Sequence, residues 1–279
     1  SAPLKMVIAT NIINILLSLA FVLIFQMQIN GIALASVIAE IIGMLIGFIY
    51  VRDELRKYQG KWIYKKILRL SAYKRFIQIN INLFLRTIAL IFTFAFITAQ
   101  GARFGGIILG ANALLMNLQN LLAYVLDGFA HAAEALVGKA VGKKDTQLFK
   151  SAVHICLKWS VYIALIFALI YALTGKYMIS LMTHHQNIRD IAIEYLPWLI
   201  ISPIVSVWSF LYDGVFVGAT RSRDMRNAML GSLFLVFLPS WYFLQPLGNH
   251  GLWLAFTLFM LSRGLSMHLL YKRMNLLSG

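Results

Sequence analysis

Residues 77–98 read IQININLFLRTIALIFTFAFIT. This run carries one charge, Arg86, in its 22 positions. A helix rises about 1.5 Å per residue, so the run reaches roughly 33 Å, enough to cross a hydrocarbon core of about 30 Å. Comparable apolar runs flank it at 4–25, 31–51, 106–138, 154–173, 191–217, 228–245 and 251–271. All are longer and more continuous than the strands of a membrane barrel. The predicted fold class is an all-α polytopic membrane protein with about eight transmembrane helices.

Composition agrees with that reading. The chain has 279 residues, of which 60% are hydrophobic and 13% charged, with 25 Lys and Arg against 10 Asp and Glu. Mean hydropathy is +0.77. A soluble domain carries about twice that share of charge. Ordinary soluble enzymes, disordered tails and disulfide scaffolds are therefore excluded. The single cysteine, Cys156, permits no intramolecular disulfide and no cysteine-based metal cluster. No signal-peptide pattern opens the chain, and Ser1-Ala2-Pro3 leads directly into an apolar run, as expected of a chain cut from a longer one.

The net charge of +15 follows from topology. With residue 1 in the cytoplasm, nineteen of the 25 basic residues fall in inner segments. Arg103, Lys176 and Arg189 fall outside, and Arg86, Lys158 and Arg263 lie within spans. This positive-inside bias puts both the N-terminus and the C-terminus on the cytoplasmic side. It accounts for the charge without a nucleic-acid partner; the expected partner is the lipid bilayer. The longest inner segment, 52–76, repeats Leu55, Tyr58, Trp62, Ile63, Ile67 and Leu70 among basic residues, as an amphipathic helix on the inner leaflet would.

Two hairpins resemble each other. Asn30-Gly31-Ile32-Ala33-Leu34-Ala35 opens span two as His250-Gly251-Leu252-Trp253-Leu254-Ala255 opens span eight. Each span closes on a tyrosine and basic residues, Tyr50 with Arg52 and Tyr271 with Lys272 and Arg273. Both hairpins have the same orientation, which reads as a parallel repeat. The domain organisation expected from this is 1–51 as the last two helices of an N-terminal lobe, 52–76 as a linker and 77–279 as a six-helix C-terminal lobe.

Polar residues inside the spans mark the candidate site. Asn117, Asn120, Tyr124, Asp127, His131 and Glu134 follow one another at steps of three and four, so they form one helical stripe. Ionisable groups in a span usually face a bundle interior or a water-filled cavity. Two carboxylates and an imidazole on one stripe can relay protons or hold a cation. Gln78, Asn82 and Arg86 form a second series. Arg86 and Asp127 both lie roughly 15 Å from the inner ends of their spans, so they are matched in depth for a buried pair. Span six contains Pro197 and Pro203 and ends on Asp213, the pairing of a kink with an ionisable residue found at transporter sites. Glu40 is read as a further buried carboxylate, and Asn11 and Asn14 as packing or site residues in span one. Gly43/Gly47, Gly106/Gly110 and Gly214/Gly218 have the spacing of close helix contacts. His184-His185 is read as a solvated outer loop. No serine nucleophile elbow, phosphate-binding loop or H-E-x-x-H is present, so neither an enzyme nor an ATP-driven pump is expected.

The stretch Asp127-Gly128-Phe129-Ala130-His131-Ala132-Ala133-Glu134-Ala135-Leu136-Val137-Gly138, followed by Gly142-Lys143-Lys144-Asp145, resembles a signature of the MATE (multidrug and toxic compound extrusion) transporters, in their DinF (DNA-damage-inducible protein F) branch. The run from Asp213 to Asn227 is a second match, with shorter ones at Phe84–Thr87 and Gly31–Ala35. The resemblance implies the C-terminal part of a twelve-helix, two-lobe transporter, helices five to twelve, in a bacterial inner membrane. It implies a monomeric antiporter that exports cationic or amphipathic small molecules in exchange for H⁺ or Na⁺, with no other cofactor. In the family's first-lobe cation site an Asn is followed four residues later by an Asp. Asn14 matches the first, but Ser18 stands at the second. The resemblance therefore shifts coupling to the second lobe, with Asp127, Glu134 and Asp213 as cation groups and Arg86 as counter-charge. His131 stands where this branch often has an aromatic residue, adding an imidazole able to make transport pH-sensitive. The alternatives are a lipid-linked sugar flippase of the same wider superfamily and a non-transporting membrane fragment.

Overall fold

The computed structural model describes residues 2–57 and 70–274. All regular structure among the described residues is helical. They divide into two units, Ser1–Arg69 and Leu70–Gly279.

The first unit is a helical hairpin. Helix α1 (Ala2–Leu19) runs into a π-helical turn (Ala20–Ile24), and α2 (Gln28–Arg56) returns along it. Gln26 and Gln28 take positive φ angles of 52° and 47° at the reversal. Gly31, Ala35, Ala39 and Gly43 form the buried stripe of α2. Small residues at steps of four let two backbones approach. A Cβ at Gly43 would strike the Thr10 side chain, and one at Gly47 would meet Met6 Sδ. Glu40 is exposed, which corrects its reading as a buried carboxylate. It follows Ala39 directly, so it is turned about 100° from the packed stripe. Of the sequence read as an amphipathic linker, 52–76, residues 58–69 lie outside the described residues; α2 continues to Arg56, past the expected end of its span, and the next helix already begins at Leu70.

The second unit comprises α3 (Leu70–Arg103), α4 (Gly106–Gly142), α5 (Thr146–Met182), α6 (Gln186–Gly218), α7 (Ser222–Gly231), α8 (Leu238–Leu244) and α9 (Gly248–Lys272). Helices α4 and α6 make its closest contact. Built on Gly214, a Cβ would fall on the Ala130 carbonyl; built on Gly218, it would fall on the Glu134 carbonyl. The spacing of four on both helices therefore meshes backbone against backbone. Pro197 and Pro203 lie inside α6, which runs through both without a break.

Two signature stretches are helix corners. At the end of α4, Asp145 N–H donates to the Ala140 carbonyl at 3.0 Å and Lys144 N–H to Val141 at 3.0 Å, with Lys144 at φ 54°. At the end of α6, Arg221 N–H donates to Phe216 at 2.8 Å and Thr220 N–H to Val217 at 2.9 Å, with Thr220 at φ 56°. Both are Schellman closures, which satisfy the last free carbonyls of a helix. Asp145 then caps α5 by accepting from Leu148 N–H at 2.8 Å.

Among the described residues, seven helical stretches are long and apolar enough to cross a membrane. The last, Ser222–Lys272, has 51 residues and folds back on itself. A π-helical segment (Ser232–Phe237) leads into α8, where Pro239 lacks an N–H to donate. A 3₁₀ turn (Gln245–Leu247) and Gly248, at φ 57°, reverse the chain into α9. Gly251 lies so close to the Leu244 carbonyl that a Cβ there would collide with it. The first hairpin uses the same devices, a π-helical turn followed by a glycine, Gly31, blocked by Phe21 and Met27. Four residues on, Ala35 and Ala255 are both fully buried. The motif shared by the two hairpins thus places the same small residues at the same points of each reversal.

Candidate ion-coupling site

Three charged side chains from three helices meet inside the second unit. Asp213 on α6 is drawn inward by its neighbour Gly214, which has no side chain to hold α6 away from α4. Asp213 Oδ2 accepts a hydrogen bond from Arg263 Nη2 of α9 at 2.9 Å. The same oxygen accepts from Arg86 Nη2 of α3. Asp213 is 9% exposed and Arg263 only 2%. Asp213 Oδ1, Arg86 Nε and Arg263 Nε are buried without a hydrogen-bond partner among the described residues. The Arg263 guanidinium also lies 5.5 Å from the centre of the Phe259 ring, and its Nη1 approaches Met260 Sδ at 3.3 Å. Two cations against one carboxylate leave a net buried charge of one unit. Such a cluster is costly unless further negative charge lies within range. Asp127 lies on α4, one turn before Ala130, whose carbonyl abuts Gly214 beside Asp213.

The partner of Arg86 is thus Asp213, which corrects the pairing with Asp127 expected from depth. Depth along a span fixes one coordinate, and the angular position on the helix decides the other. Helix α4 buries Leu115, Leu122, Leu126, Ala130, Ala133 and Val137. Its polar stripe lies on the opposite face: Asn117, Asn120, Asp127 and His131 are exposed, Tyr124 is 75% exposed, and Glu134 is half-buried. His131 Nδ1 lies 3.5 Å from Glu134 Oε2. The stripe is therefore continuous, as its spacing predicts, but it faces outward from this unit.

Asn82, one turn from Arg86, is buried; its Nδ2 donates to Ser222 Oγ at 3.2 Å, and its Oδ1 accepts from Arg226 Nη1 at 2.7 Å. The Gln78-Asn82-Arg86 series thus ties α3 to the start of α7 at one step and to the charge cluster at the next. Asn14 and Glu40 belong to the first unit. Asn14 Nδ2 donates to Ser36 Oγ of α2 at 3.2 Å, an interhelical hydrogen bond, and Ser18 Oγ donates to Asn14 Oδ1 at 3.3 Å within α1. His184 and His185 are exposed.

Sequence reading missed Arg263. Its signal was present, because it is one of three basic residues inside spans. The other unexplained one, Lys158, is exposed, and a long lysine can carry its ammonium to the interface. Arg263 is flanked by Gly264, where a Cβ would crowd Trp208. Close packing of α9 on α6 keeps its guanidinium in the interior.

The sequence model of the MatE family matches residues 82–243. The chain belongs to the MatE family. It is 39% identical to DNA damage-inducible protein F of Escherichia coli (strain K12), over 98% of this chain and 59% of that protein. It is 22% identical to human Multidrug and toxin extrusion protein 1, over 88% of this chain and 44% of that protein. The fold is that of a Vibrio cholerae MATE transporter, VcmN: a mutant crystal structure aligns with a TM-score of 0.83 at 20% identity, over 99% of this chain and 63% of that one. The chain thus spans 59% and 44% of the length of these two curated relatives. The matched MatE region contains Arg86, Asp127 and Asp213 and ends before Arg263.

Proposed function

We propose that this chain is the C-terminal part of a MATE antiporter, helices five to twelve, that exports cationic or amphipathic small molecules in exchange for H⁺ or Na⁺. In this reading Ser222–Lys272 counts as two spans, since 51 residues of helix would measure about 77 Å, more than twice a hydrocarbon core. That makes eight spans. Residues 1–51 close a first lobe and 77–279 form the second, with both termini of this chain in the cytoplasm of a bacterial cell. The full transporter acts as a monomer by alternating access.

The observation that carries the reading is the Arg86–Asp213–Arg263 cluster on α6, a helix packed backbone to backbone on α4, which presents the exposed polar stripe bearing Asp127. Two guanidiniums on one oxygen of Asp213 repel an incoming cation, so Asp213 serves as a fixed counter-charge. Asp127 stands one turn before the Ala130–Gly214 contact, on the helix that packs against the helix of Asp213, and is open enough to exchange a cation with water. When a cavity closes around it, an ionised carboxylate costs more than a neutralised one. Cation binding at Asp127 then permits closure, and release of the cation favours reopening. His131 and Glu134, one and two turns further on, offer a path for the cation along the stripe.

The test uses the full-length transporter in liposomes. Efflux of a fluorescent cationic dye is followed under an imposed pH gradient, then under a Na⁺ gradient, for the parent and for Asp127→Asn and Asp213→Asn. Dye movement under one gradient, abolished by Asp127→Asn, is the expected result. No gradient-driven movement of any cationic dye would sink it. A second reading, a lipid-linked sugar flippase of the wider superfamily, draws on the excess of arginine over aspartate in the buried cluster, which suits an anionic cargo.

A further inference from the structure

A second polar concavity lies at the end of the unit where α6 turns into α7, beside Asn82 and Gln78. It comprises two adjoining cavities, of about 520 and 820 Å³, which share Gln78, Asn82 and Arg223. Arg221 and Asp224 line the first, and Lys74 and Arg226 the second. Four cations thus surround the concavity against one carboxylate. Asp224 is engaged by Arg221, Nη1 to Oδ2 at 3.6 Å, and Arg226 is held by Asn82 and Asn227. Arg223 and Lys74 are exposed and make no ion pair among the described residues. The first turn of α7, which no side chain caps, opens at the same point, with Asp224 N–H taken by the Arg221 carbonyl at 3.1 Å.

We infer that this concavity is a binding site for a phosphate-bearing anion, distinct from the coupling site. The reasons are chemical. Arginine forks match phosphate oxygens in pairs. A helix N-terminus favours negative charge. Asn82 and Gln78 supply neutral donors beside the cations. The site adjoins apolar Ile77, Ile79 and Ile81 on α3, so a phosphate seated here would have an apolar surface beside it. An anionic phospholipid headgroup has both parts, and a free phosphate shares the first. Because Asn82 joins this site to the helix that carries Arg86, an occupant would brace α3 against α7 at the base of the charge cluster.

The test is native mass spectrometry of the full-length protein in detergent, titrated with phosphatidylglycerol and, for comparison, with zwitterionic phosphatidylcholine. Binding of inorganic phosphate is measured separately by calorimetry. The double variant Arg221→Gln/Arg223→Gln should bind phosphatidylglycerol about 30-fold more weakly, and Arg223→Gln alone about fivefold. Lys143→Gln/Lys144→Gln removes the same charge from the neighbouring corner and should leave affinity unchanged. If the double variant elutes as an aggregate, the exposed single variant carries the test. Weakening confined to phosphatidylglycerol assigns the site to a lipid headgroup, and the same loss for inorganic phosphate assigns it to a soluble phosphate. Equal loss in both double variants, or no arginine-dependent binding of either probe, overturns the site.

Discussion

Arg263 and Asp213 stand fifty residues apart in sequence and share a 2.9 Å hydrogen bond in the interior of the second unit. Arg86 reaches the same carboxylate oxygen from a third helix. The three residues join α3, α6 and α9 at one point, and their charges do not cancel. That imbalance makes unequal predictions for the members of the cluster.

Replacing Asp213 by Asn leaves the buried Arg263 guanidinium facing the part-buried Arg86 without a carboxylate. Stranding buried charge in this way costs about 3–5 kcal/mol. Replacing Arg263 by Met instead leaves one Arg86–Asp213 pair, balanced in charge, and fills a similar volume beside Phe259. Its cost should be less than half that of Asp213→Asn. Thermal unfolding of the full-length protein, followed by fluorescence-detected size exclusion, measures both. An Arg263→Met variant as unstable as Asp213→Asn would show that packing, not charge balance, sets the cluster's energy.

Gly214→Ala and Gly218→Ala should each destabilise by at least about 1–3 kcal/mol, the usual cost of overpacking, because the added methyl meets backbone that cannot rotate away. Gly128→Ala, on α4 but with open space around its Cβ position, should be neutral or slightly stabilising. The same unfolding measurement separates them. Equal effects at Gly128 and Gly214 would refute the close approach of α4 and α6.

The corner between α4 and α5 predicts two effects of opposite sign. Asp145→Ala removes the cap on Leu148 N–H and should cost about 1 kcal/mol. Lys144→Gly relieves a left-handed backbone at φ 54° and should gain about 1 kcal/mol. Chemical denaturation in mixed micelles gives both, and a destabilising Lys144→Gly would mean that the lysine side chain contributes more than its backbone strain costs.

The exposed stripe of α4 is expected to face water in the assembled transporter. In a Cys156→Ala background, Asn117→Cys, Asn120→Cys and Tyr124→Cys should react with a membrane-impermeant thiol reagent. Leu122→Cys, on the buried face, should not. Labelling of none of the three stripe positions would place the stripe against lipid or protein and remove Asp127 from the transport pathway.

Much of this was legible before any coordinates. Arg86, Asp127 and Asp213 announced themselves as charges in apolar runs, because a lone charge in a span needs a physical reason. The stripe from Asn117 to Glu134 followed from helical period alone. The shared Gly31 and Gly251 motifs marked two chain reversals that use the same small residues. Arg263 was visible as a charge in a span, but nothing local distinguished it from Lys158, which is exposed.

The sequence by itself determined that the chain is helical, that it crosses a membrane repeatedly and which of its helix faces are polar. Length, hydropathy and period are properties of a single helix, and a bilayer makes each span declare itself. Only the tertiary structure decided that Arg86 pairs with Asp213, that Arg263 joins them, that Glu40 is exposed and that the α4 stripe looks outward. Those outcomes depend on how far each helix is rotated about its axis and how closely its neighbours approach. Gly214, Gly218 and Gly264 govern that approach, through contacts between residues 50 or more positions apart in some cases. A periodic pattern shows which residues share a face; the packed partner decides what that face meets.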